Sequence, residues 1–338
     1  MANVIVEMEP GATAEQTGAV LTALDELGFE ARLSSGRVPD VVGAVGSAGQ
    51  IDQEDLAGLA GVARVVIPES PFTFVSREFQ PVDTRIEVGP VVIGGGMLVV
   101  AAGPCAVESR EQLWETAAAV KAAGAQLLRG DAYKPRTSPY SFQGLGEEAL
   151  KLLADARAEF GLPVIAEVLD PRHVELVAGY VDMLRVGTRN MSNYPLLAEV
   201  GRQAKPVQLK RGFNATVDEW LTAAEYIYKE GNPRIVLVER GIRTFETAAR
   251  NTLDLTAVAV AKRLSHLPVM VDPSHASGRR ELVGPLALAA VAAGADGVMI
   301  DVHPHPEEAK VDGPQALLPA EFADLAARMF RVKEALGA

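Results

Sequence analysis

Short runs of β-branched residues alternate with Ala-rich amphipathic segments from Leu98 onward, and this alternation limits the fold more than any other feature of the chain. The pattern is typical of βα units around a parallel sheet. Eight such strands within about 240 residues is the size of a (β/α)8 barrel, the TIM-barrel fold. A doubly wound open sheet is the structural alternative, and it would normally place a Gly-rich turn directly after its first strand. The predicted strands are Leu98–Ala102, Gln126–Gly130, Pro163–Val168, Met183–Gly187, Pro206–Arg211, Arg234–Arg240, Leu267–Asp272 and Gly297–Val302, and the last predicted helix is Ala320–Leu336.

The first seventy residues follow a different pattern and predict a small α+β domain. Strands and helices are expected there in the order βαββαβ, the ferredoxin-like unit, which is more often an effector or oligomerisation module than a catalytic one. The predicted elements are Val4–Glu7, Ala14–Leu27, Glu30–Leu33, Val41–Val45, Gln53–Leu59 and Val62–Ile67, with a Ser-Ser-Gly turn at 34–36. We therefore expect a regulatory domain over 1–70, a Pro-rich linker and a hairpin at Ile86–Met97 over 71–97, and a catalytic barrel over 98–338.

Charge and cysteine content narrow the class of partner. The chain has 44 acidic and 32 basic residues, a net charge of −12, which argues against nucleic acid or an anionic membrane as a partner. No run approaches the roughly 18 apolar residues of a membrane span. The single cysteine, Cys105, cannot form an intrachain disulfide, and the first residues lack the pattern of a signal peptide. We expect a protein of the reducing cytoplasm.

Cationic side chains lie at or just after the carboxyl ends of four of the eight predicted strands, at the end of a barrel where active sites lie. Because the chain is acidic overall, cations gathered at one mouth indicate a substrate that carries phosphate or carboxylate groups. The alternative is that they form structural ion pairs with carboxylates such as Glu167 and Glu239. Lys210 is also a candidate Schiff-base lysine, but phosphate pairing is favoured because many other cations accompany it. The candidates are Arg129, Lys134, Arg136, Arg189, Lys210, Arg211, Arg240 and Arg243.

A second set of side chains follows strands one, seven and eight and has the donor types of a metal site. A thiolate, an imidazole and two carboxylates suit a divalent ion of the Mn, Fe, Co or Zn class. The alternatives are a buried apolar cysteine, a histidine bonded to backbone and aspartates that cap helices. His303 and His305 are rival ligands. The set is Cys105, His275, Asp301 and Asp312.

No motif indicates an organic cofactor. Walker A, HExxH, GxSxG and paired CxxC patterns are absent from the sequence. The GxGxxA match at 144–149 follows a polar loop rather than a strand, and Glu147 and Glu148 would repel a pyrophosphate. We interpret it as the start of a helix.

Seven segments, in this order and spacing, resemble the type I 3-deoxy-7-phosphoheptulonate (DAHP) synthases. They are GPCAVES, KPRTSPYSFQG, GTRN, LKRG, ERGIRTFE, DPSHASGRR and DVHPHPEEAKVD. The N-terminal unit followed by VSREFQPVDT is similar to the subgroup with a ferredoxin-like regulatory domain. The resemblance implies condensation of phosphoenolpyruvate with erythrose 4-phosphate, the first step of the shikimate pathway to chorismate and the aromatic amino acids.

The resemblance also implies a role for each matching residue. Cys105, His275, Asp301 and Asp312 match the metal ligands; the family commonly has Glu at the position of Asp301, which leaves direct ligation by the shorter side chain open. Arg129, Lys134, Arg189, Lys210 and Arg240 match the groups that hold phosphoenolpyruvate, with Arg211 beside them. Pro135, Arg136, Thr137 and Ser138 match the erythrose 4-phosphate side. Lys134, Glu167, Lys210 and His275 are the implied catalytic residues, with Glu167 near the water that attacks C2.

Regulation and assembly are implied in the same way. Arg32 and Ser34 lie where relatives bind an aromatic effector, so tyrosine or phenylalanine is the expected inhibitor. A homotetramer is the implied assembly.

Two rival functions share most of these features. One is 3-deoxy-octulosonate 8-phosphate synthase, which takes arabinose 5-phosphate; its counterpart of KPRTS usually reads KANRSS, so Pro135 and Arg136 favour the four-carbon aldose. The other is a non-catalytic effector-binding paralogue, which loss of a metal ligand or of Lys134 would have indicated. None of these residues is plainly lost.

Overall fold

A computed structural model of the chain describes residues 2–34, 39–46 and 53–337. These residues form two units. The first contains 1–83 together with 263–266, and the second contains 84–262 and 267–338.

The first unit is built on a four-stranded antiparallel sheet with the order β2-β3-β1-β4. Its elements are β1 (Ala2–Met8), α1 (Ala14–Glu26), β2 (Phe29–Leu33), β3 (Val41–Gly46), α2 (Gln53–Ala57) and β4 (Val62–Val66). Helix α1 begins with a capping box, in which Thr13 and Gln16 satisfy each other's backbone N–H groups. Its buried Val20 and Leu24 pack on Val4 and Val6 of the central strand. The predicted ferredoxin-like βαββαβ unit is confirmed; the Ser-Ser-Gly turn lies, beyond Ser34, outside the described residues.

The segment after β4 belongs to the same unit because its aromatic side chains are buried there. Phe74 and Phe79 meet edge to face, with ring centroids 5.5 Å apart. A side chain at Gly43 would bring a Cβ within 2.7 Å of the Phe79 ring, so glycine permits this packing. Ser265 Oγ donates to the backbone oxygen of Val75 at 2.6 Å, which holds 263–266 in this unit.

The second unit is a closed barrel of eight parallel strands with the cyclic order β10-β11-β12-β13-β14-β7-β8-β9. The predicted TIM barrel is confirmed, and the open-sheet alternative is wrong. Strands such as β9 and β12 are buried on both faces, which explains their continuous apolar runs. The barrel strands are β7 (Val99–Gly103), β8 (Leu127–Arg129), β9 (Val164–Val168), β10 (Met183–Val186), β11 (Val207–Lys210), β12 (Ile235–Glu239), β13 (Val269–Val271) and β14 (Gly297–Asp301).

The predicted hairpin precedes the first barrel strand and closes the amino end of the barrel. It consists of β5 (Ile86–Val88) and β6 (Val91–Ile93), paired antiparallel. Ile86, Val88 and Ile93 are buried in one cluster with the interior side chains Met183 and Met270. Because one end is filled by apolar side chains, polar groups collect at the other, carboxyl end.

Helices follow the barrel strands and cover the outside of the sheet. They are α3 (Arg110–Ala122), α4 (Glu147–Phe160), α5 (Val174–Tyr180), α6 (Tyr194–Gly201), α7 (Val217–Lys229), α8 (Leu255–Leu264), α9 (Pro273–Ser277), α10 (Arg280–Ala292) and α11 (Pro319–Ala335), with short 3-10 turns at Pro171–His173, Thr188–Asn190 and Gly313–Gln315. Among the described residues, no helix combines the length and apolar character that crossing a bilayer requires.

The buried His266 makes the stability of the first unit depend on pH. Burial lowers the pKa of His266 to about 4, and its Nε2 lies 2.9 Å from the backbone oxygen of Phe74. His266 therefore takes up a proton near pH 6.5 in the unfolded chain but only near pH 4 in the folded chain. The free energy of unfolding falls as the pH drops from about 6.5 to about 4. We expect His266 to account for a loss of about 3 kcal/mol in unfolding free energy between pH 7 and pH 4.

Urea titrations of the wild type and of His266→Gln at both pH values measure this loss. Gln keeps an N–H donor for the Phe74 oxygen but has no ionisable group, so the variant should show a shallower pH dependence. Equal pH dependence in the two proteins would contradict the assignment.

Candidate active site and metal centre

A cavity of about 490 Å³ opens at the carboxyl ends of the barrel strands. Seven cationic side chains line it against two carboxylates, Glu167 and Asp312. This excess of positive charge in a chain of net charge −12 makes the cavity a site for anions. The cations are Lys134, Arg136, Arg189, Lys210, Arg240, Arg243 and Arg250. All were predicted from the sequence except Arg250, which lies in the long loop between β12 and α8 and follows no strand directly.

Four of the lining guanidiniums have no carboxylate partner. In the described part of the chain, neither Arg189, Arg240 and Arg243 nor Arg136 forms an ion pair with Asp or Glu. The ring of Phe213 supports three of them, with its centroid 4.7 Å from the Arg243 guanidinium, 4.8 Å from Arg240 and 5.6 Å from Arg189. The structural ion-pair alternative therefore fails for these four residues. Sequence reasoning missed Phe213, because a lone aromatic residue after a strand carries no signal of its own.

Arg240 is held in place by neutral groups. Its Nη1 donates to Asn251 Oδ1 at 2.8 Å, and its Nη2 donates to the backbone oxygen of His275 at 2.9 Å. Burial lowers the pKa of Arg240 to about 10, which still leaves the guanidinium charged at neutral pH. A buried guanidinium without a counter-ion donates strong hydrogen bonds to an anion.

Two predicted substrate-binding arginines lie behind the cavity wall. Arg211 donates to Glu239 Oε2 at 2.9 Å and to Asp254 Oδ2 at 3.0 Å. Arg129 is completely buried and donates to the backbone oxygen of Pro104 and to Asp301 Oδ1. Neither side chain lines the cavity. In this structure both arginines form structural ion pairs with carboxylates.

The two lining lysines each pair with a buried aspartate. Lys134 Nζ donates to Asp131 Oδ2 at 2.7 Å, and Lys210 Nζ donates to Asp272 Oδ2 at 2.6 Å. Burial is the largest single influence and opposes the charge of Lys134, but Asp131 and the other nearby acidic groups together outweigh it, so the pKa of Lys134 is raised. For Lys210, burial outweighs Asp272 and lowers the pKa. The contact with Asp272 favours the paired cation over the Schiff-base alternative for Lys210.

Glu167 enters the cavity at the end of β9. Its carboxylate lies against Gly187, where a Cβ would overlap Oε1, so a glycine at the start of GTRN makes room for it. The backbone N–H of Glu167 donates to Asp131 Oδ1 at 3.1 Å. The Glu167 carboxylate therefore lies among the lining cations, and the hydrogen bond to Asp131 fixes its backbone.

The four predicted metal ligands come together beside the cavity. Their donor atoms all lie within 4.8 Å of one another. Cys105 Sγ lies 3.2 Å from Asp312 Oδ2 and 3.6 Å from His275 Nε2. Burial raises the pKa of the Cys105 thiol to about 12. A bound divalent cation would lower this pKa again, because it stabilises the thiolate. The donor set fits a borderline divalent ion; His303 and His305 lie outside this cluster.

The backbone at two ligands explains their orientation. Asp272 caps α9, accepting from the backbone N–H of His275 at 2.9 Å, and its Oδ2 lies 2.9 Å from His275 Nδ1. His275 Nε2 is thereby turned toward Cys105. Asp312 has a φ of +56° and is the one non-glycine residue with left-handed backbone among the described residues. Such backbone strain costs conformational energy and is found mainly at functional sites.

Asp301 already has partners for both carboxylate oxygens. Oδ1 accepts from Arg129 Nη1 at 2.8 Å, and Oδ2 accepts from Gln315 Nε2 at 2.6 Å. Asp301 Oδ2 is also 3.5 Å from His275 Nδ1. The shorter side chain therefore reaches the cluster while being tied to the cation behind it.

Comparison with known proteins matches both units to one group of enzymes. Residues 77–337 match the model of the DAHP synthetase I family, and 4–67 match the DAHP synthase ferredoxin-like domain. The chain is 46% identical over 333 residues to a phospho-2-dehydro-3-deoxyheptonate aldolase of Thermotoga maritima, covering 98% of each chain. It is 33% identical over 265 residues to a 2-dehydro-3-deoxyphosphooctonate aldolase of a Bradyrhizobium species, covering 72% of this chain and 91% of that one.

Solved structures agree with the sequence matches. The crystal structure of phospho-2-dehydro-3-deoxyheptonate aldolase (DAHP synthase) from Thermotoga maritima aligns with a TM-score of 0.79 and 44% identity over all of this chain and 98% of that one. A truncated form of 3-deoxy-D-arabino-heptulosonate 7-phosphate synthase from the same organism aligns with a TM-score of 0.74 and 49% identity, covering 78% of this chain and 97% of that one. With its barrel, its N-terminal unit and nearly its full length matched to such enzymes, the chain belongs to the DAHP synthetase I family and is a transferase of the aldolase type.

Proposed function

We propose that the chain condenses phosphoenolpyruvate with D-erythrose 4-phosphate, giving 3-deoxy-D-arabino-heptulosonate 7-phosphate and inorganic phosphate in a metal-dependent reaction. The observation that carries this proposal is a cavity in which four guanidiniums without carboxylate partners adjoin a Cys-His-Asp-Asp cluster within the described residues. Such a cavity suits two phosphorylated substrates, one of which must be polarised by a Lewis acid. The 46% identity to the Thermotoga aldolase supports the same reaction.

Phosphoenolpyruvate is the substrate that four of the lining cations suit. Lys134, Lys210, Arg189 and Arg240 line the cavity and offer fixed donors for its phosphate and carboxylate. Arg129 and Arg211 support this set from behind through their ion pairs. Positioning of two anions that would otherwise repel each other can contribute about 7–11 kcal/mol to lowering the barrier.

Erythrose 4-phosphate is assigned to the loop of 135–138. Pro135, Arg136, Thr137 and Ser138 all line the cavity. Arg136 Nη1 is buried and has no hydrogen-bond partner among the described residues, so a phosphate oxygen would satisfy it. The same loop argues against arabinose 5-phosphate, because Pro135 and Arg136 occupy the positions at which the octulosonate enzymes usually differ.

The chain's own residues then account for the individual steps. Cys105, His275, Asp312 and Asp301 would hold a divalent ion, which supplies Lewis acidity for the aldehyde oxygen. C3 of phosphoenolpyruvate bonds to C1 of the aldose, water adds at C2, and phosphate leaves with cleavage of its C–O bond. Glu167 lies in the cavity as the carboxylate that orients this water and accepts its proton.

The cellular role follows from this reaction. It is the first step of the shikimate pathway to chorismate and the aromatic amino acids, and we place the enzyme in the cytoplasm as a homotetramer. The N-terminal unit is assigned to feedback regulation. Ser34 Oγ is buried with no hydrogen-bond partner among the described residues, and the guanidinium of Arg32 lies 5.4 Å from the Phe74 ring centroid. A polar group of an aromatic amino acid would satisfy Ser34.

Release of phosphate from phosphoenolpyruvate tests the substrate assignment. With Mn²⁺ present, erythrose 4-phosphate should support release, and arabinose 5-phosphate should support at most about a hundredth of that rate, because a polar pocket discriminates strongly. A chelator should abolish release. Release with arabinose 5-phosphate alone would move the assignment to the octulosonate enzyme, and no release with either aldose would favour a non-catalytic paralogue.

Removal of the thiol tests the metal centre. Cys105→Ala should bind Mn²⁺ at least about a hundredfold more weakly than the wild type, because one of four ligands is lost while the fold is kept. Calorimetric titration of the chelated protein measures the affinity. His305→Asn, at an exposed histidine outside the cluster, is the matched control and should bind normally. Unchanged affinity in Cys105→Ala would refute the metal assignment.

Substitution at Ser34 tests the regulatory assignment in the full-length enzyme. Ser34→Ala should raise the inhibition constant of tyrosine or phenylalanine at least about tenfold and leave uninhibited turnover unchanged, since one hydrogen bond to the effector is lost. Thr22→Ala, at an exposed hydroxyl on α1 that bonds to its own helix, is the control and should retain inhibition. Sensitivity equal to wild type in Ser34→Ala would remove Ser34 from the effector site.

A further inference from the structure

Asp131 is a buried carboxylate that does not line the cavity but contacts several cations beneath it. Asp131 lies two residues after the end of β8 and is completely buried. It accepts from Lys134 Nζ at 2.7 Å, from Arg129 Nη2 at 3.2 Å and from the backbone N–H of Glu167 at 3.1 Å. Its fourth donor is Nη2 of Arg185. One carboxylate therefore contacts three cations, of which Lys134 lines the cavity, and the backbone of a second lining residue, Glu167.

Arg185 lies in the middle of β10 and is also fully buried. Its Nη1 contacts Met299 Sδ at 3.4 Å, and its Nε lies 3.9 Å from Glu167 Oε2 without a hydrogen bond. Asp131 is thus the only carboxylate in hydrogen-bond contact with Arg185 in the described part of the chain. Neither Asp131 nor Arg185 lines the cavity, so the pair lies beneath its floor.

The charges of this pair act on the cavity through a medium that screens them poorly. Burial opposes ionisation of Asp131, but Arg185, Lys134 and Arg129 together hold its pKa far below the ordinary range, so it is an anion. A fixed buried anion beside Lys134 lowers the attraction of the floor for an anionic ligand, and a fixed buried cation at Arg185 raises it. The two effects oppose each other because the groups are adjacent.

We propose that Asp131 and Arg185 are a charge-balancing pair that sets the affinity of the cavity for phosphoenolpyruvate, and that Asp131 is in addition the positioning residue of Lys134. This inference rests on the proposed binding of phosphoenolpyruvate in the cavity. The pair touches no substrate; it acts through the cations and through Glu167. Removing either member alone therefore shifts affinity, and the direction of the shift depends on which charge is removed.

Each single substitution has a defined outcome. Asp131→Asn removes an anion with little change of shape, so the dissociation constant of phosphoenolpyruvate should fall by about threefold to tenfold. Turnover should nevertheless fall at least about tenfold, because Lys134 loses the ionic partner that fixes its position. Arg185→Gln removes a cation, so the dissociation constant should rise by about threefold to tenfold.

The double variant separates charge balance from positioning. Asp131→Asn combined with Arg185→Gln should bind phosphoenolpyruvate within about twofold of the wild type, because the charges leave together. Its turnover should remain low, because Lys134 still lacks its ionic partner. Asp296→Asn is the matched control: this buried aspartate pairs with Lys262 through two contacts of 2.8 Å at the opposite end of the strands, and its loss should leave phosphoenolpyruvate affinity unchanged.

The measurement is calorimetric titration of phosphoenolpyruvate into Mn²⁺-loaded full-length protein without the aldose, together with turnover in the presence of both substrates. Shifts of opposite sign that cancel in the double variant support the proposal. Shifts of the same sign, or no shift, overturn it, because a merely structural pair would weaken binding whichever member is lost. If Asp131→Asn does not fold, the double variant decides: recovery of the affinity lost in Arg185→Gln supports the proposal, and an affinity as low as that of Arg185→Gln or lower overturns it. Failure of the wild type to bind phosphoenolpyruvate would instead refute the proposed function.

Discussion

Pairing of buried charges at the carboxyl end of the barrel is the interaction on which the site depends. Asp131, Asp272 and Asp301 are all buried, and each contacts at least one buried cation. Moving an unpaired ion of this kind out of water costs several kcal/mol, so none of these groups is tolerable alone. The pairs hold Lys134 and Lys210 in one geometry before any ligand arrives.

This pairing divides the cations into two layers with different tasks. The inner layer, represented by Arg129 and Arg211, is neutralised by carboxylates and gives the cavity its shape. The lining layer, represented by Arg189 and Arg240, rests on the Phe213 ring and keeps its charge available. A phosphorylated substrate can therefore bind strongly without breaking the ion pairs that fix the floor.

Much of this arrangement could be predicted from the sequence, and the reason is geometric. The carboxyl ends of parallel strands meet at one edge, so residues far apart in the chain, such as Cys105 and His275, could be named as candidate ligands of one cluster from strand positions. The strand count and the ferredoxin-like unit followed from hydrophobic periodicity. Pairing preferences could not be predicted, because spacing does not show which cation a given carboxylate contacts.

The residues that sequence reasoning missed illustrate this limit. Asp131 lies three residues before the KPRTSPYSFQG segment, yet only the structure shows that its side chain turns under the cavity rather than into it. Arg185 lies in a strand whose other residues are apolar, where a single charge carries no sign of its partner. Contacts of the same kind keep Arg129 and Arg211 out of the cavity lining, because Arg129 pairs with Asp301 and Arg211 with Glu239.

The most direct test of the account is a crystal structure of the Mn²⁺-loaded protein with phosphoenolpyruvate, in which anomalous scattering locates the ion. We expect the ion among Cys105, His275 and Asp312, and the phosphate against Lys134, Lys210 and Arg240, with the Asp131–Arg185 pair intact beneath them. An ion at another place, or phosphoenolpyruvate bound away from these cations, would contradict the account.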